Sequence, residues 1–596
     1  MALDAPLSRR TLLQGSALAA AVAAFGALTP EAARAAVEDA SRDGVFGFGV
    51  ASGDPTATEL LLWTRVTPSP DALPGSGLGR PSRVEWEVAA DAEFEHVVCS
   101  GRTRTDADRD HTVKVVVSGL APYTQYFYRF TSCGATSPVG RTRTAPDEAG
   151  TTHALRLAFA SCSNYTGGFF TAYRGLAARD DLDAVLHLGD YLYEYGNTPR
   201  DPAAPGSGDR YGPVELVGIR DHEPATEMVS LEDYRLRHAV YKADPDLQAA
   251  HQQHPWIVIF DDHEVTNDFY ATGAENHDEQ DDPGTRYTGP GEPDGIRAEG
   301  DFAERRARAF QAYLEWMPIR EPESWQPLPH QGTQFFRRFT YGDLAELSVI
   351  ETRQNRSQQE PETVDGALNP ALTDPARHLP EPEQLEWLTS GITGSDKAWH
   401  IIGNQTVVTR VFAVPAADVL PGQVFNADQW DGYQADQAAL LAAMGDSGDT
   451  DPVVLTGDIH SSWANELPSD PAAGDSVGVE FVCPSITSNG FKESLGSADA
   501  AVAATAAFQA TNPWIRFLEG IGHGFCVLDV TPERVQTDWF YIRSNGDKGL
   551  AVDPRLDPQA TVEYETSYAS VKGSRRITGP VPPLGARSDE PRTAVR

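Results

Sequence analysis

Seven residues with the chemistry of a metal site stand where apolar runs stop. Leu182 to Leu188 reads as a buried strand. Gly189 ends it, Asp190 sits at its tip, and Tyr193 follows three residues later. One turn can aim both side chains at a common point. Leu155 to Ala160 runs into Ser161-Cys162, and Pro255 to Phe260 into Asp261-Asp262-His263-Glu264. Trp399 to Ile402 leads to Gly403-Asn404, and Pro452 to Leu455 to Thr456-Gly-Asp458-Ile-His460. A single aspartate at a strand end is most often a turn or helix cap. The set Cys162, Asp190, Asp262, His263, Asn404, Asp458 and His460 reads differently, because ligands of open α/β sheets bind beyond the carboxyl ends of strands. Together these residues predict a two-metal site.

The donor types suggest which metals. Thiolate, phenolate, carboxylate and imidazole at one centre suit a transition metal, and hard anionic oxygens favour a highly charged ion such as ferric iron. An all-oxygen set of Asp and Asn around a second centre suits calcium, magnesium or manganese. Two metals about 3.5–4 Å apart can hold a phosphate, deliver a bound hydroxide in line and stabilise the leaving oxygen. His263, one residue past a ligand, is free to protonate the leaving group or to bind a phosphate oxygen.

The elements that carry these residues alternate. From about residue 150, strands and helices take turns, which predicts an α/β domain over 150–575. Helices are expected through Phe170 to Ala178, over Leu231 to His254 and over Asp301 to Glu315. Strands are expected at Glu346–Ile350 and Val479–Val482, with a hairpin of Phe525–Val530 and Val535–Ile542 and a further strand at Thr561–Val571. Residues 271–298 are acidic, rich in Gly and Pro and without a period, so they read as a loop. Residues 36–147 read as an all-β sandwich, with β-rich runs at Val84–Val88 and Thr112–Val117. Leu120 to Phe130 looks like the tyrosine-corner region of immunoglobulin- and fibronectin-like sandwiches. Residues 576–596 read as a loose tail.

Ser8-Arg9-Arg10-Thr11-Leu12-Leu13 opens an Ala-rich apolar stretch that ends near Ala33-Arg34-Ala35. A charged region, a short hydrophobic region and small residues describe an export signal over 1–35, and the paired arginines suggest the twin-arginine machinery. No later apolar run is long enough to span a membrane. The chain is expected to be secreted, periplasmic or at the cell surface. A formal charge of -38 argues against a nucleic-acid-binding surface. Five cysteines are an odd number for an exported chain. Cys99 could pair with Cys133, and Cys483 with Cys526, each with a plain thiol as the alternative. Cys162 is then the odd one, at a strand tip.

The chain resembles the alkaline phosphatase D (PhoD) family of the calcineurin-like metallophosphatase superfamily. The resemblance runs from Gly49-Val-Ala-Ser-Gly-Asp54 and Leu62-Trp-Thr-Arg65 through Ala160-Ser-Cys-Ser163, Gly189-Asp-Tyr-Leu-Tyr193 and Asp261-Asp-His-Glu264. It continues with Thr352-Arg-Gln354, Asp431-Gly-Tyr433, Gly457-Asp-Ile-His460 and Ser485-Ile-Thr-Ser488. Glu351 departs from an expected Asp, and Gly522-His-Gly-Phe525 from an expected Arg-Gly-Tyr-like segment. The resemblance implies a layered metallophosphatase β-sandwich flanked by helices, behind an N-terminal immunoglobulin-like domain. It implies ferric iron held by Cys162, Asp190, Tyr193 and His460, and calcium held by Asp190, Asp262 and Asp458, with manganese, magnesium or zinc as alternatives. His263 takes the catalytic position. Asp261, Asn267, Arg353 and Asn404 are candidates for support or phosphate contact. The implied activity is hydrolysis of phosphate mono- and diesters. Alternatives are phospholipase D action on lipid head groups and a non-catalytic metal-binding surface protein.

Overall fold

The computed structural model describes residues 32–42, 44–197, 212–277, 299–322, 333–587 and 592–593. The N-terminal part forms β1 (Val50–Gly53), β2 (Glu59–Arg65), β3 (Ser82–Ala89), β4 (Val97–Thr105), β5 (Thr112–Ser118), β6 (Thr124–Ser132), β7 (Ala135–Thr136) and β8 (Gly140–Arg143). Buried and half-buried positions alternate along β6, as they must in a strand with one covered face. Its Tyr126 hydroxyl accepts the Ala121 backbone N–H at 2.9 Å, the anchor of a tyrosine corner. Leu60, Leu62, Val84, Val88, Tyr128 and Phe130 fill the space between the sheets.

The larger part begins with β9 (Leu155–Ala160), β10 (Ala184–His187) and β11 (Pro255–Val258), parallel and wholly buried. There follow β12 (Arg337–Tyr341), β13 (Ala345–Val349), the short β14 (Thr363–Val364) and β15 (Ala367–Leu368), β16 (Trp399–Gly403), β17 (Asp451–Thr456), β18 (Ser462–Leu467) and β19 (Gly478–Val482). Last come β20 (Ile515–Glu519), the antiparallel pair β21 (Gly524–Val530) and β22 (Arg534–Arg543), β23 (Thr561–Val571) and β24 (Arg592–Thr593). Two large sheets result, in the orders β23-β22-β21-β9-β10-β11-β1-β2-β5 and β12-β13-β16-β17-β19-β18-β20. In the second, β13, β16, β17 and β19 run parallel. The sheets pack face to face: Trp539 of β22 meets Phe481 of β19 edge-on at 6.0 Å, and one core draws on both. The helices Pro382–Gly394 and Gln434–Gly445 cover the outer face of the second sheet through Leu388, Ile392, Leu440 and Met444. This is the layered, helix-flanked sandwich that the sequence implied.

Several expectations change. The N-terminal part shares a sheet with the larger part: β1 lies parallel to β11, with Gly53 opposite Trp256. Residues 36–42 belong to the helix Ala32–Arg42, whose Val37 and Ala40 sit in the main core. The twin-arginine residues lie outside the described residues, as do 278–298 of the expected loop. The stretch 231–254 is two helices, Leu231–Lys242 and Pro245–Gln253. Asp244 starts the second by accepting the N–H groups of Asp246 and Leu247, with Pro245 in the first turn. The tail is tied down up to residue 587: Val581 N–H reaches Ser567 O, Leu584 N–H reaches Asp538, and Arg587 pairs with Asp183 at 2.7 Å. All five cysteines are free. Strand β3 separates β4, which carries Cys99, from β6, which Cys133 follows; Cys526 lies in β21 and Cys483 just past β19. Among the described residues no helix is long and apolar enough to cross a membrane.

The core also encloses neutral histidines. Burial pushes His187, His254 and His400 down to about 3. Burial and the Lys242 amine hold His238 and His251 well below the ordinary value. Unfolding returns each ring to about 6.5, so the unfolded chain binds more protons below that pH. Stability is therefore present above pH 6.5 and lost as pH falls toward 3. One such ring costs about 2 kcal/mol between pH 7 and pH 5. His238 has no partner for either ring nitrogen among the described residues, so His238→Phe should weaken the pH dependence. Urea denaturation at pH 7 and pH 5 checks this. An unchanged pH slope in the variant would contradict it.

Candidate metal centre

The parallel strands of both sheets end at one edge, where a parallel bridge between Ser161 and Ser485 joins the two. The backbone turns sharply there. Cys162 (φ 61°), Asp190 (φ 52°), Asp458 (φ 60°) and His460 (φ 53°) all occupy the left-handed region. That conformation costs about 1–2 kcal/mol for a residue with a Cβ, and four such residues at strand tips mark a site. Gly189, with φ 110°, lets the β10 tip approach the β11 tip: a Cβ there would stand 2.4 Å from the Asp261 Cβ.

Two donor groups result. Cys162, Asp190 and His460 bring one ligating atom each to within 4.8 Å of one another, and Asp190, Asp262 and His263 do the same. Asp190 belongs to both. The Tyr193 hydroxyl joins the first group, 3.0 Å from Asp190 Oδ2 and 3.3 Å from His460 Nε2. His460 Nδ1 is 2.8 Å from the Asn489 carbonyl, an acceptor only. It therefore carries the hydrogen, and the Nε2 lone pair faces the other donors. Burial first, then Asp190, push the Cys162 thiol well above its ordinary value. Burial raises Asp190 strongly too, opposed by His263 and reinforced by Asp262, Asp261 and Glu264. Tyr193 is raised by burial, then by Asp190 and Cys162. Ionising these donors together requires a cation among them. Sulfur, phenol, carboxylate and imidazole fit a transition metal, and the shared Asp190 with Asp262 fits a second cation.

His263 lies beside the shared carboxylate. Its ring stacks on Tyr193 with centroids 4.0 Å apart and meets Tyr195 edge-on at 5.3 Å. Its Nδ1 is 2.7 Å from Glu194 Oε2. Burial disfavours its charge, but Asp262, Glu194 and Asp190 outweigh that and raise its pKa well above the ordinary value.

Other candidates fall elsewhere. Asp458 is not in either donor group: its carboxylate faces Arg353 at 3.2 Å and Gln429 at 3.3 Å. Arg353 is fully buried and committed to carboxylates, to Asp261, to Asp428 at 3.0 Å and to Asp458. It forms a buried ion cluster, one of the two roles the sequence left open for it, and also stands 3.9 Å from Asp262. Asp261 supports it from the β11 tip, its acid pushed up to about 8 by burial against the pull of Arg353. Asn404 is a turn residue. Its amide bonds Thr406 O, and its carbonyl accepts Trp430 Nε1 at 3.2 Å. The Asn267 backbone N–H donates to Glu194 at 2.7 Å, while its side chain points to Glu275 at 3.5 Å.

Residues 157–539 match the PhoD-like phosphatase family, and residues 31–146 match the N-terminal domain of PhoD-like phosphatases. The chain belongs to the PhoD-like phosphatase family. It is 35% identical over 519 residues to alkaline phosphatase D of Bacillus subtilis (strain 168), covering 86% of this chain and 80% of that protein. A solved structure of PhoD superposes with a TM-score of 0.73 at 32% identity, over 89% of this chain and 91% of that one. Membership makes this chain a phosphoric ester hydrolase.

Within this PhoD-like site, sequence reasoning missed four residues. Glu264 clamps two tips, accepting the N–H groups of Tyr191 at 2.6 Å, Asp261 at 2.9 Å and Asp190 at 3.1 Å. Ser488 donates to the Tyr193 hydroxyl at 2.6 Å. Glu194 and Asn489 hold the two histidines. Glu264 and Ser488 were inside quoted motifs, and Glu194 directly follows one. Glu351 folds back on its own turn, accepting the N–H groups of Arg353 and Gln354, so its departure from the family leaves the donors untouched.

Arg353→Met would take the Arg353 counter-charge from Asp261 and Asp458, while Asp428 keeps Arg356 at 2.7 Å. Breaking a buried ion cluster from one side costs about 3–5 kcal/mol. Urea denaturation of the metal-free protein should show a loss of that size, and a loss near zero would rule out the structural role.

Proposed function

We propose that the chain is an exported, metal-dependent phosphomonoesterase and phosphodiesterase whose centre takes ferric iron and calcium. The observation that carries this reading is the pair of donor groups sharing Asp190, with His263 alongside. Cys162, Asp190, Tyr193 and His460 would hold iron. Asp190 and Asp262 would hold calcium, with Asp458 as the third carboxylate the family resemblance implies. Bound there, the metals supply Lewis-acid charge to the phosphoryl group and activate water for attack.

The chain's own residues do the rest. Asp190 is shared, so it fixes the spacing of the two centres. His460 offers Nε2 because Asn489 occupies Nδ1. The burial of the strand tips excludes bulk water from the donors, which strengthens every electrostatic contact made there. His263, stacked on Tyr193, donates a proton to the departing oxygen. No nucleophilic side chain is needed, so the phosphoryl group goes directly to water. Export rests on Arg9-Arg10 and the apolar stretch that follows.

Hydrolysis of a nitrophenyl monoester, its diester and phosphatidylcholine, with and without chelator, tests the reading. Chelator-sensitive release from the mono- and diester is expected, together with a visible absorption band that Tyr193→Phe removes. Dominant choline release would make the chain a phospholipase D. No hydrolysis by metal-loaded protein would leave a non-catalytic metal-binding protein. Replacing Arg9 and Arg10 by Lys should keep the protein inside the producing cell, as followed by fractionation. Undiminished export of that variant would exclude the twin-arginine route.

A further inference from the structure

We propose that the free edge and outer face of the N-terminal module form a docking surface for an extended acidic peptide segment of another protein, which adds to the sheet as a strand beside β4. This goes beyond the hydrolase reading and uses no residue of the metal centre. Strand β4 ends its sheet, in the order β24-β6-β3-β4. Among the described residues only β3 pairs with it. One row of its backbone N–H and C=O groups is therefore open to a further strand. From Val97 to Arg104 its side chains are exposed or half-buried, so no other element covers the edge.

The charges on this face are arranged against one another. Arg83 of β3 stands directly opposite Arg104 of β4. Glu85 is opposite Arg102 and pairs with it at 2.8 Å. Glu87 is opposite Arg129 of β6 and pairs with it at 2.8 Å. Both glutamates are thereby used. Asp106, two residues past Arg104, accepts the Asp108 N–H at 3.2 Å instead. Among the described residues no carboxylate pairs with Arg83, Arg104 or Arg80 just before β3, and all three are exposed. That stands out in a chain with 86 acidic and 48 basic residues. Like charges directly opposite in a sheet repel. Charged side chains on an edge strand ordinarily keep other chains away, and Arg102 with Arg104 would serve that end alone. Arg83 is on an interior strand, where it gives the edge no cover and adds only repulsion. An incoming carboxylate removes that repulsion.

The spacing suits a strand. Arg102 and Arg104 share one face and lie about 6.8 Å apart along β4. An added strand sets its own alternate side chains directly opposite them. Arg83 lies two strand spacings from such a strand, roughly 10 Å, within the joint span of an arginine and a glutamate side chain. Every cation here is an arginine, whose fork can bind a carboxylate through two N–H groups. Backbone pairing supplies affinity, and acids at alternate positions supply register. The negative charge of the rest of the chain is no obstacle in physiological salt, where charges beyond about 8 Å are largely screened.

A short fluorescent peptide that alternates glutamate and threonine tests this on the full chain. It should bind, less tightly as salt rises, while the same peptide with lysine in place of glutamate should not. Methylating one alternate set of its backbone nitrogens should weaken binding about tenfold or more, and methylating the other set should not, because only one set faces β4. Arg83→Gln and Arg104→Gln should each weaken binding by a similar factor, with an unchanged circular dichroism spectrum. Arg83→Glu/Arg104→Glu should take the lysine peptide instead. No binding of the glutamate peptide, equal binding of the lysine peptide, or undiminished binding by both Gln variants would overturn the proposal. Parent-like binding of both methylated peptides, or displacement of the peptide by polyphosphate at equal charge concentration, would also overturn it, since charge alone would then hold the ligand. The methylated peptides give their answer on the wild-type chain, whether or not the variants fold.

Discussion

Too many acids are buried at one edge of the sandwich, and most of the molecule is arranged around that fact. Asp190, Asp261, Asp262, Asp428, Asp458, Glu264 and Glu351 are all buried there. Burying an unpaired carboxylate is expensive enough that it protonates or finds a cation. The structure answers differently on the two sides. Toward the second sheet, Arg353 is the counter-charge for Asp261, Asp428 and Asp458. At the tips themselves, Glu264 is met by three backbone N–H groups. The side that holds Cys162, Asp190, Tyr193 and His460 gathers donors in the mixture a metal ion selects. Arginine and metal thus divide one electrostatic problem between them. Arg353 is thereby part of the foundation of the site.

Holding such a charge cluster in place needs stiff supports. Strand β11 carries Asp262 and would be a sheet edge if the larger part stood alone. The N-terminal β1 pairs along it, with β2 and β5 beyond. An interior strand is held by hydrogen bonds on both sides, whereas an edge strand can fray. The N-terminal module therefore stabilises the site at a distance while contributing no donor to it. The left-handed turns at Cys162, Asp190, Asp458 and His460 then aim the side chains from strands that cannot yield.

The sequence made the donors legible because each follows an apolar run that is long enough to be a strand and too short to be a helix. Convergence of the tips then followed from the general placement of ligands on α/β sheets. The supporting residues were not legible in the same way, since their partners are remote in the chain. Ser488 meets Tyr193 across 295 positions and Glu194 meets His263 across 69, and neither acquires a distinctive local pattern from that. Arg353 and Asn404 show the converse. Their residue types suit phosphate or metal, but only the surrounding carboxylates and Trp430 reveal that those atoms are already engaged. The joined sheet was hidden for a similar reason. Val50–Gly53 reads as one more short strand, and its pairing with residues 255 and 256 is a tertiary choice.

The stretch around His523 follows the same logic of support. His523, in the Gly522-His-Gly-Phe525 segment, lies 2.9 Å from the Ser485 hydroxyl through Nδ1. Ser485 begins the loop whose Ser488 and Asn489 touch Tyr193 and His460. Arg555 secures that loop from the far end of the chain, bonding Thr487 O at 2.7 Å and Asn489 Oδ1 at 2.9 Å while pairing with Asp553 and Glu493. The loop is thus fixed by contacts from several separate stretches, of which His523 is one and Ser161–Asn164 another. Changing a single support can be absorbed when the others hold the backbone, whereas changing a donor alters the charge balance directly.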